Sequence, residues 1–138
     1  LIFFIFYYFF FISKMYHVAM ECENYEDFLK TKRLEYKAFK SCYCPALKTH
    51  VIFNSQGFHH LLYDGFGKAR TKAERIRRLL LISSVLKIIR NARLIFRHSL
   101  RGDKEYWLLK GLQGIKIVVV VLRRSGSGVT HFYSVWDE

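Results

Sequence analysis

Hydrophobic positions in the first third of the chain recur at helical spacing. Over residues 24–40 the apolar side chains are three or four positions apart, with charged residues between them. This pattern predicts an amphipathic helix. Pro45 then disfavours helical backbone at Cys44, so the helix must end before it. We predict that residues 20–43 form a helical appendage to a domain that spans residues 44–138.

The pattern changes to short segments in the middle of the chain. Residues 51–53 are apolar and β-branched or aromatic, which predicts a short strand. The turn residues Asn54, Ser55 and Gly57 would end that strand. Residues 58–63 predict one or two helical turns, followed by a glycine-containing loop at residues 64–68.

The clearest helix start lies at residues 71–74. Thr71 and Glu74 are spaced as in a capping box, in which each side chain accepts from a backbone amide at the start of the helix. Beyond Ile82 the apolar residues cover every side of a helical wheel. We therefore predict a break at Ser83 and Ser84, with a second helix that runs to Ala92.

The last third of the chain has the pattern of strands. Residues 105–112, 115–123 and 129–136 are rich in β-branched and aromatic side chains, and glycine-containing turns separate them. Residues 117–122 are apolar on both faces, which is typical of a central, covered strand. The fold class predicted is α+β, with N-terminal helices followed by a three- to four-stranded antiparallel β-meander.

The final strand is unusual in carrying polar side chains on both faces. In an ideal strand His131 and Tyr133 share one face, whereas Phe132 and Ser134 share the other. We predict that the face with His131 and Tyr133 is the wet one. His131 and Ser134 can serve one site only if the strand twists or bulges.

The chain begins with twelve apolar and aromatic residues. As a helix this run is about 18 Å long, short of the roughly 30 Å hydrocarbon layer of a bilayer, so we predict no membrane span. We also do not predict a signal peptide, because basic residues before the run and a small-residue cleavage site are not seen. Translation from Met15 or Met20 would make residues 1–19 a non-native leader. The alternative is an N-terminal strand or a membrane-surface anchor.

The positive charge is concentrated in the later part of the chain. The whole sequence carries a formal charge of +12. Residues 68–101 contain eight arginines and three lysines against one acid, Glu74. Arginine binds phosphate through a planar set of donors, so a nucleic acid is the partner predicted.

The three cysteines point to a reducing, cytoplasmic setting and form no disulfide framework. Cys42, Cys44 and His50 resemble half of a zinc site, but a second ligand pair at suitable spacing is absent from the sequence. Paired carboxylates and metal-binding motifs are also missing. The sequence therefore predicts neither a metal nor another cofactor.

Histidine and arginine remain as the chemically active residue types. Two imidazoles and an arginine suffice to cleave RNA: one imidazole takes the proton of the ribose 2′-OH, and the other protonates the leaving 5′ oxygen. Arginine stabilises the charge on phosphorus. His59, His60 and His131 lie beside the basic region or on the last strand, whereas His17, His50 and His98 have no evident partner in the sequence.

Four short motifs resemble one nuclease family. They are CPALKTHVIFNSQGFHHLLYDGFGKARTKAERIRRLLLI, YWLLKGL, IKIVVVVLR and THFYSVW, and they span residues 44–136. In this order they are similar to the small phage and bacterial proteins known as barnase-EndoU-colicin-RelE-like nucleases. The chain departs from them at Ile82-Ser83-Ser84, where such proteins tend to have a proline.

The resemblance implies a metal-independent endoribonuclease that leaves a 2′,3′-cyclic phosphate. Its partners would be RNA, such as tRNA or mRNA, and an immunity or antitoxin protein. The G-[WF]-x-H element of these proteins matches Gly57, Phe58 and His60, which favours His60 over His59. Their closing H-F-[YF]-S element matches His131 and Ser134. The predicted catalytic residues are His60, His131, Arg70, Arg78 and Ser134, and the predicted RNA-binding residues are Lys68, Lys72, Arg75, Arg77 and Tyr133. Two alternatives remain: a non-catalytic RNA- or DNA-binding module, and a basic protein anchored at a membrane.

Overall fold

The computed structural model describes residues 2–21 and 25–138, and within them it has four helices and six strands. The helices are α1 (Ile2–Glu21), α2 (Tyr25–Phe39), α3 (Ser55–Leu62) and α4 (Lys72–Asn91). The strands are β1 (Ser41–Cys44), β2 (Thr49–Ile52), β3 (Arg97–Arg101), β4 (Lys104–Gln113), β5 (Lys116–Ser125) and β6 (His131–Asp137). The predicted α+β class is confirmed, with more strands than expected.

All six strands belong to one sheet in the order β1-β2-β6-β5-β4-β3. The meander from β3 to β6 is antiparallel throughout. A single parallel pair, Ile52 with His131, joins it to the β1–β2 hairpin. Strands β1 and β3 were not predicted, and they extend the sheet at its two ends.

One face of the sheet is covered by α4. Its buried residues Ile82 and Val85 belong to the same core cluster as Val118 and Val120 of β5. The predicted break at Ser83 and Ser84 is wrong, since α4 is continuous from Lys72 to Asn91. The helix is apolar on several sides because α2 and α3 also pack against it, in addition to the sheet.

The α2 helix contributes Tyr36 to the core. The Tyr36 ring lies within 6 Å of the rings of Phe53, Phe58 and Phe132. Its hydroxyl donates to the Asn54 carbonyl at 2.6 Å. Strand β1 follows α2 directly and belongs to the sheet.

The starts of α3 and α4 are set by side-chain caps. Asn54 accepts from the Gly57 amide at 3.2 Å and caps α3. Ser55 and Gly57, which were predicted to lie in a turn, are the first and third residues of this helix. Thr71 accepts from the Glu74 amide at 3.2 Å, which confirms the predicted start of α4. Glu74 pairs with Arg78 through its side chain at 2.9 Å.

The α1 helix presents large aromatic side chains to solvent over its first ten residues. Phe3, for example, is 90% exposed and Phe4 is 84% exposed. Among the helices within residues 2–21 and 25–138, none combines the length and apolar character needed to cross a bilayer. The side chains of Met15, His17, Met20 and Cys22, on which predictions were made, lie outside the described residues.

Candidate active site

Two of the predicted histidines meet where α3 packs against β6. The His60 ring lies 4.2 Å from the Tyr133 ring, centroid to centroid. The Arg123 guanidinium lies 4.5 Å from the centre of the same Tyr133 ring. Its Nε donates to Nε2 of His131 at 3.3 Å. These contacts link the four side chains, and with Arg70 we call them the histidine–arginine cluster.

The β5–β6 hairpin places Arg123 and His131 side by side. They are cross-strand partners in the antiparallel register. Arg123 is 9% exposed, and its Nη2 also donates to the Gln56 side chain at 3.2 Å. A buried guanidinium with two fixed acceptors is held in one orientation, so its charge is directed at the imidazole of His131.

A register shift in β6 satisfies the geometric condition raised by the sequence. Leu122 pairs with Phe132 and Val121 pairs with Ser134, so Tyr133 is the extra residue of a β-bulge. His131 and Ser134 are consequently opposite Arg123 and Val121, which lie two positions apart on β5. Phe132 is buried in the core, whereas His131 and Tyr133 are half-buried, and this agrees with the predicted wetter face.

Arg70 and Arg78 are anchored at the border of the cluster. Arg70 Nε donates to the carbonyl oxygen of His60 at 3.2 Å. Arg78 Nη1 donates to Ser134 Oγ at 3.0 Å and to the Val135 carbonyl at 3.2 Å. The five predicted catalytic residues therefore lie around α3 and β6. Ser134 has its side-chain contact with Arg78 and not with either imidazole.

Burial and positive charge lower the pKa of both imidazoles. For His60, partial burial is the main cause, followed by the charges of Arg123, the neighbouring His59 and Arg70, and the pKa falls to about 4. For His131, burial and then Arg123 lower the pKa. In the free protein His60 is consequently neutral at pH 7, which is the form that accepts a proton.

The predicted RNA-binding residues are spread more widely. Tyr133 lies in the cluster, and Lys68 is exposed in the loop between α3 and α4. Lys72 lies 5.4 Å from the Tyr25 ring, and Arg75 donates to the Leu62 carbonyl at 3.2 Å. Arg77 pairs with Asp137 at 2.8 Å. Arg75 and Arg77 thus have intramolecular roles that the sequence did not indicate.

Three residues in or beside the cluster were not singled out from the sequence. They are Arg123, Gln56 and Tyr106, whose ring lies 5.5 Å from that of Tyr133. The signal for Arg123 is its position at the polar end of the apolar run of β5, directly before the turn that leads to His131. Only the cross-strand register shows that the two side chains meet.

A groove of about 400 Å³ continues from Tyr133 across the exposed part of the sheet. Aromatic and basic side chains dominate its lining. The residues that line it are Arg97, Ser99, Arg101, Tyr106, Leu108, Val121, Tyr133 and Trp136. Of these described residues none is acidic, so the groove suits an anionic ligand with flat rings.

The histidines outside the cluster have different surroundings. His98, for which the sequence showed no partner, lies 2.9 Å from Glu105 and stacks on Trp107. His50 packs against Tyr43. Cys42 and Cys44 are buried free thiols. Among the described residues, no three His, Cys, Asp or Glu side chains are grouped closely enough to hold a metal ion.

Comparison with known proteins adds no assignment to this site. No family model, curated protein or solved structure gives a significant match to the chain. The resemblance to barnase-EndoU-colicin-RelE-like nucleases is therefore an expectation from four sequence motifs.

Proposed function

We propose that the protein is a metal-independent endoribonuclease, with the histidine–arginine cluster as its active site. The observation that carries the proposal is the contact series from His60 through Tyr133 and Arg123 to His131. It brings two proton-transfer groups and a phosphate-binding cation to one place, which is what RNA transesterification requires.

The reaction begins with the imidazole of His60, which accepts the proton of the ribose 2′-OH. The 2′ oxygen then forms a bond to phosphorus, and the bond from phosphorus to the 5′ oxygen breaks. The leaving 5′ oxygen takes a proton from His131. The products are a 2′,3′-cyclic phosphate and a 5′-OH, and one proton has moved from His131 to His60 in total.

The lowered pKa of His131 has a consequence for this step. The neutral imidazole keeps one N–H, but only the imidazolium is acidic enough to protonate the leaving 5′ oxygen. A bound phosphate beside His131 favours the imidazolium and opposes the lowering of its pKa by burial and Arg123. Substrate binding therefore promotes the acid form that this step needs.

The arginines provide the electrostatic contribution. Arg123 lies between the two imidazoles in the contact series, and Arg70 is fixed to the His60 carbonyl. Both can bind the non-bridging oxygens of the phosphate, where negative charge grows in the transition state. Arg78, oriented by Ser134, is the third cation at this border.

The basic and aromatic groove beyond Tyr133 can bind the nucleotides next to the reacting phosphate. A single strand with splayed bases can stack on Tyr106 and Trp136 while its phosphates face Arg97 and Arg101. The substrate class proposed is therefore single-stranded RNA.

The decisive experiment incubates the full chain with labelled single-stranded RNA in excess EDTA. We expect cleavage, with the 2′,3′-cyclic phosphate detected by mass spectrometry. His60→Ala and His131→Ala should each lower the rate by roughly 10²- to 10⁴-fold, the usual contribution of a general acid or base. A 2′-deoxy substitution at the scissile nucleotide should abolish cleavage and leave binding intact.

His50→Ala is the matched control, because His50 packs against Tyr43 on the β1–β2 hairpin. It should cleave like the wild type. RNA that stays intact with the wild-type chain, or cleavage that survives both substitutions in the cluster, would overturn the proposal. Salt-sensitive RNA binding without any cleavage supports a second function, a nucleic-acid-binding module, which the same basic groove favours.

A further inference from the structure

A second aromatic group lies next to the cluster at the C-terminal end of α3. His59 is in the last turn of the helix, and Tyr63 is the extended residue that caps it, with its amide donating to the His59 carbonyl at 2.9 Å. Their rings are 4.3 Å apart and inclined by only 15°, which is a stacked arrangement. Arg75 holds the end of the helix, since its Nε donates to the Leu62 carbonyl and its guanidinium lies 5.3 Å from the Tyr63 ring.

The pair forms one wall of a groove of about 460 Å³ beside α2. Polar, aromatic and basic side chains make up the lining. They are Arg33, Ser55, Gln56, Phe58, His59, Leu62 and Tyr63. None of these described residues is acidic. Arg33 belongs to α2, and its guanidinium lies 4.6 Å from the centre of the Phe58 ring on α3.

This groove adjoins the histidine–arginine cluster through two residues. Gln56 lines the groove and also accepts from Arg123, the central cation of the cluster. The ring of His59 is 6.3 Å from that of His60. A nucleic acid whose phosphate lies at His60 can therefore extend directly into the groove.

His59 is exposed although one face of its ring is covered by Tyr63. The other face is available to a flat ligand. Bases stack on such platforms regardless of sequence, and a nearby guanidinium binds the adjoining phosphate. The groove has both elements, with the His59–Tyr63 stack for a base and Arg33 for a phosphate.

We propose that this groove is a base-stacking subsite for a nucleotide next to the scissile one in single-stranded RNA. The inference rests on the proposed function for the identity of the reacting nucleotide. Binding of a neighbouring base in this groove does not depend on how the phosphodiester bond is cut. The sheet groove and this subsite would then hold the RNA on two sides of the reacting phosphate.

The test measures the binding of fluorescent RNA oligonucleotides that carry 2′-deoxyribose at the scissile nucleotide and so cannot be cleaved. A dinucleotide is compared with trinucleotides extended on the 5′ or on the 3′ side. We expect one of the two extensions to tighten binding by roughly 5- to 100-fold in the wild-type chain, the range for one stacked base. His59→Ala should abolish this gain and leave dinucleotide binding unchanged.

Two further variants separate stacking from charge. His59→Phe keeps an aromatic platform and should retain the gain, which shows that the fold of α3 is intact. Arg33→Gln should weaken trinucleotide binding and reduce its logarithmic salt slope by about one. His50→Ala is again the control.

The outcomes distinguish the two proposals. Equal gains in wild type and His59→Ala overturn the subsite, whatever the cleavage result. A wild-type chain that shows the gain but never cleaves ordinary RNA overturns the ribonuclease and leaves the subsite in place. A chain that binds none of the oligonucleotides and leaves ordinary RNA intact overturns both.

Discussion

Histidine occurs in two regions of this molecule with opposite electrostatic surroundings. In the histidine–arginine cluster, His131 accepts from Arg123, and positive groups surround His60. On the β3–β4 hairpin, His98 lies 2.9 Å from the Glu105 carboxylate, which also binds Arg124 at 2.9 Å. Among the residues that the structure describes, no carboxylate pairs with Arg123, His60 or His131 in the first region, whereas Glu105 lies at the centre of the second.

The difference teaches what makes an imidazole available for chemistry. In the hairpin, Glu105 neutralises the cations, and the bonds from Arg124 and His98 lower the pKa of its carboxyl. In the cluster Arg123 donates to two neutral partners, His131 and Gln56, so its charge is not neutralised by a carboxylate there. Arg123 and Arg124 are adjacent in β5, so strand alternation alone assigns them to the two regions.

Among the tests of this comparison, the largest effect should come from replacing each of these adjacent arginines by methionine in turn. Arg123→Met removes a buried cation at the proposed phosphate site, and we expect RNA cleavage to fall by roughly 10²- to 10³-fold. Arg124→Met removes an arginine of similar sequence context and should leave cleavage within about twofold of wild type. Initial rates on the same labelled RNA, with circular dichroism as a check on folding, decide the matter. Equal losses in both variants would contradict the comparison.

An intermediate effect should appear in the pH dependence of stability. The folded-state pKa of His60 is about 4, below the ordinary value near 6.5 that applies to the unfolded chain. Between these values the unfolded chain binds more protons, so the contribution of His60 to stability is complete above about pH 6.5 and is lost as the pH falls towards 4. The urea midpoint should therefore fall from pH 7 to pH 5.

His60→Gln should flatten that fall in the urea midpoint, because glutamine does not titrate. The matched variant His98→Gln should retain the steep dependence, because it keeps His60. A wild-type midpoint that stays constant from pH 7 to pH 5 would be inconsistent with a neutral, partly buried His60.

The smallest effect should follow from Glu105→Gln. The substitution breaks two ion pairs on the exposed side of the hairpin, and such pairs are screened by salt. We expect a slight decrease in the thermal midpoint at low ionic strength that disappears in 1 M NaCl, with RNA cleavage unchanged. A large loss of cleavage would show that the two regions are coupled.

Local signals in the sequence were sufficient for several elements. The capping residue Thr71 marked the start of α4 because it acts through its own backbone neighbours. The antiparallel meander followed from β-branched runs separated by glycine turns. Strand β3 was missed because it lies at the end of the sheet and most of its residues are exposed, so it lacks an apolar pattern.

Features that depend on distant contacts were harder to predict. The apolar residues around Ser83 suggested a break because a single helix would need a wet face, but α2, α3 and the sheet cover more than one side of α4. Likewise, the position of Arg123 beside His131 depends on hairpin register, and that of His60 depends on how α3 packs against β6. The residue types were visible in the sequence, but their assembly was not.

The contact between Arg78 and β6 has a consequence for solubility. β2 contacts β6 through one pair, Ile52 with His131, and further along the strand the Val135 carbonyl accepts from Arg78. A carbonyl on the edge of a strand is what a strand of another molecule would bind first. Arg78 occupies it with a charged side chain and so discourages such growth into aggregates. In addition to its place in the proposed active site, Arg78 therefore has a structural role along this strand.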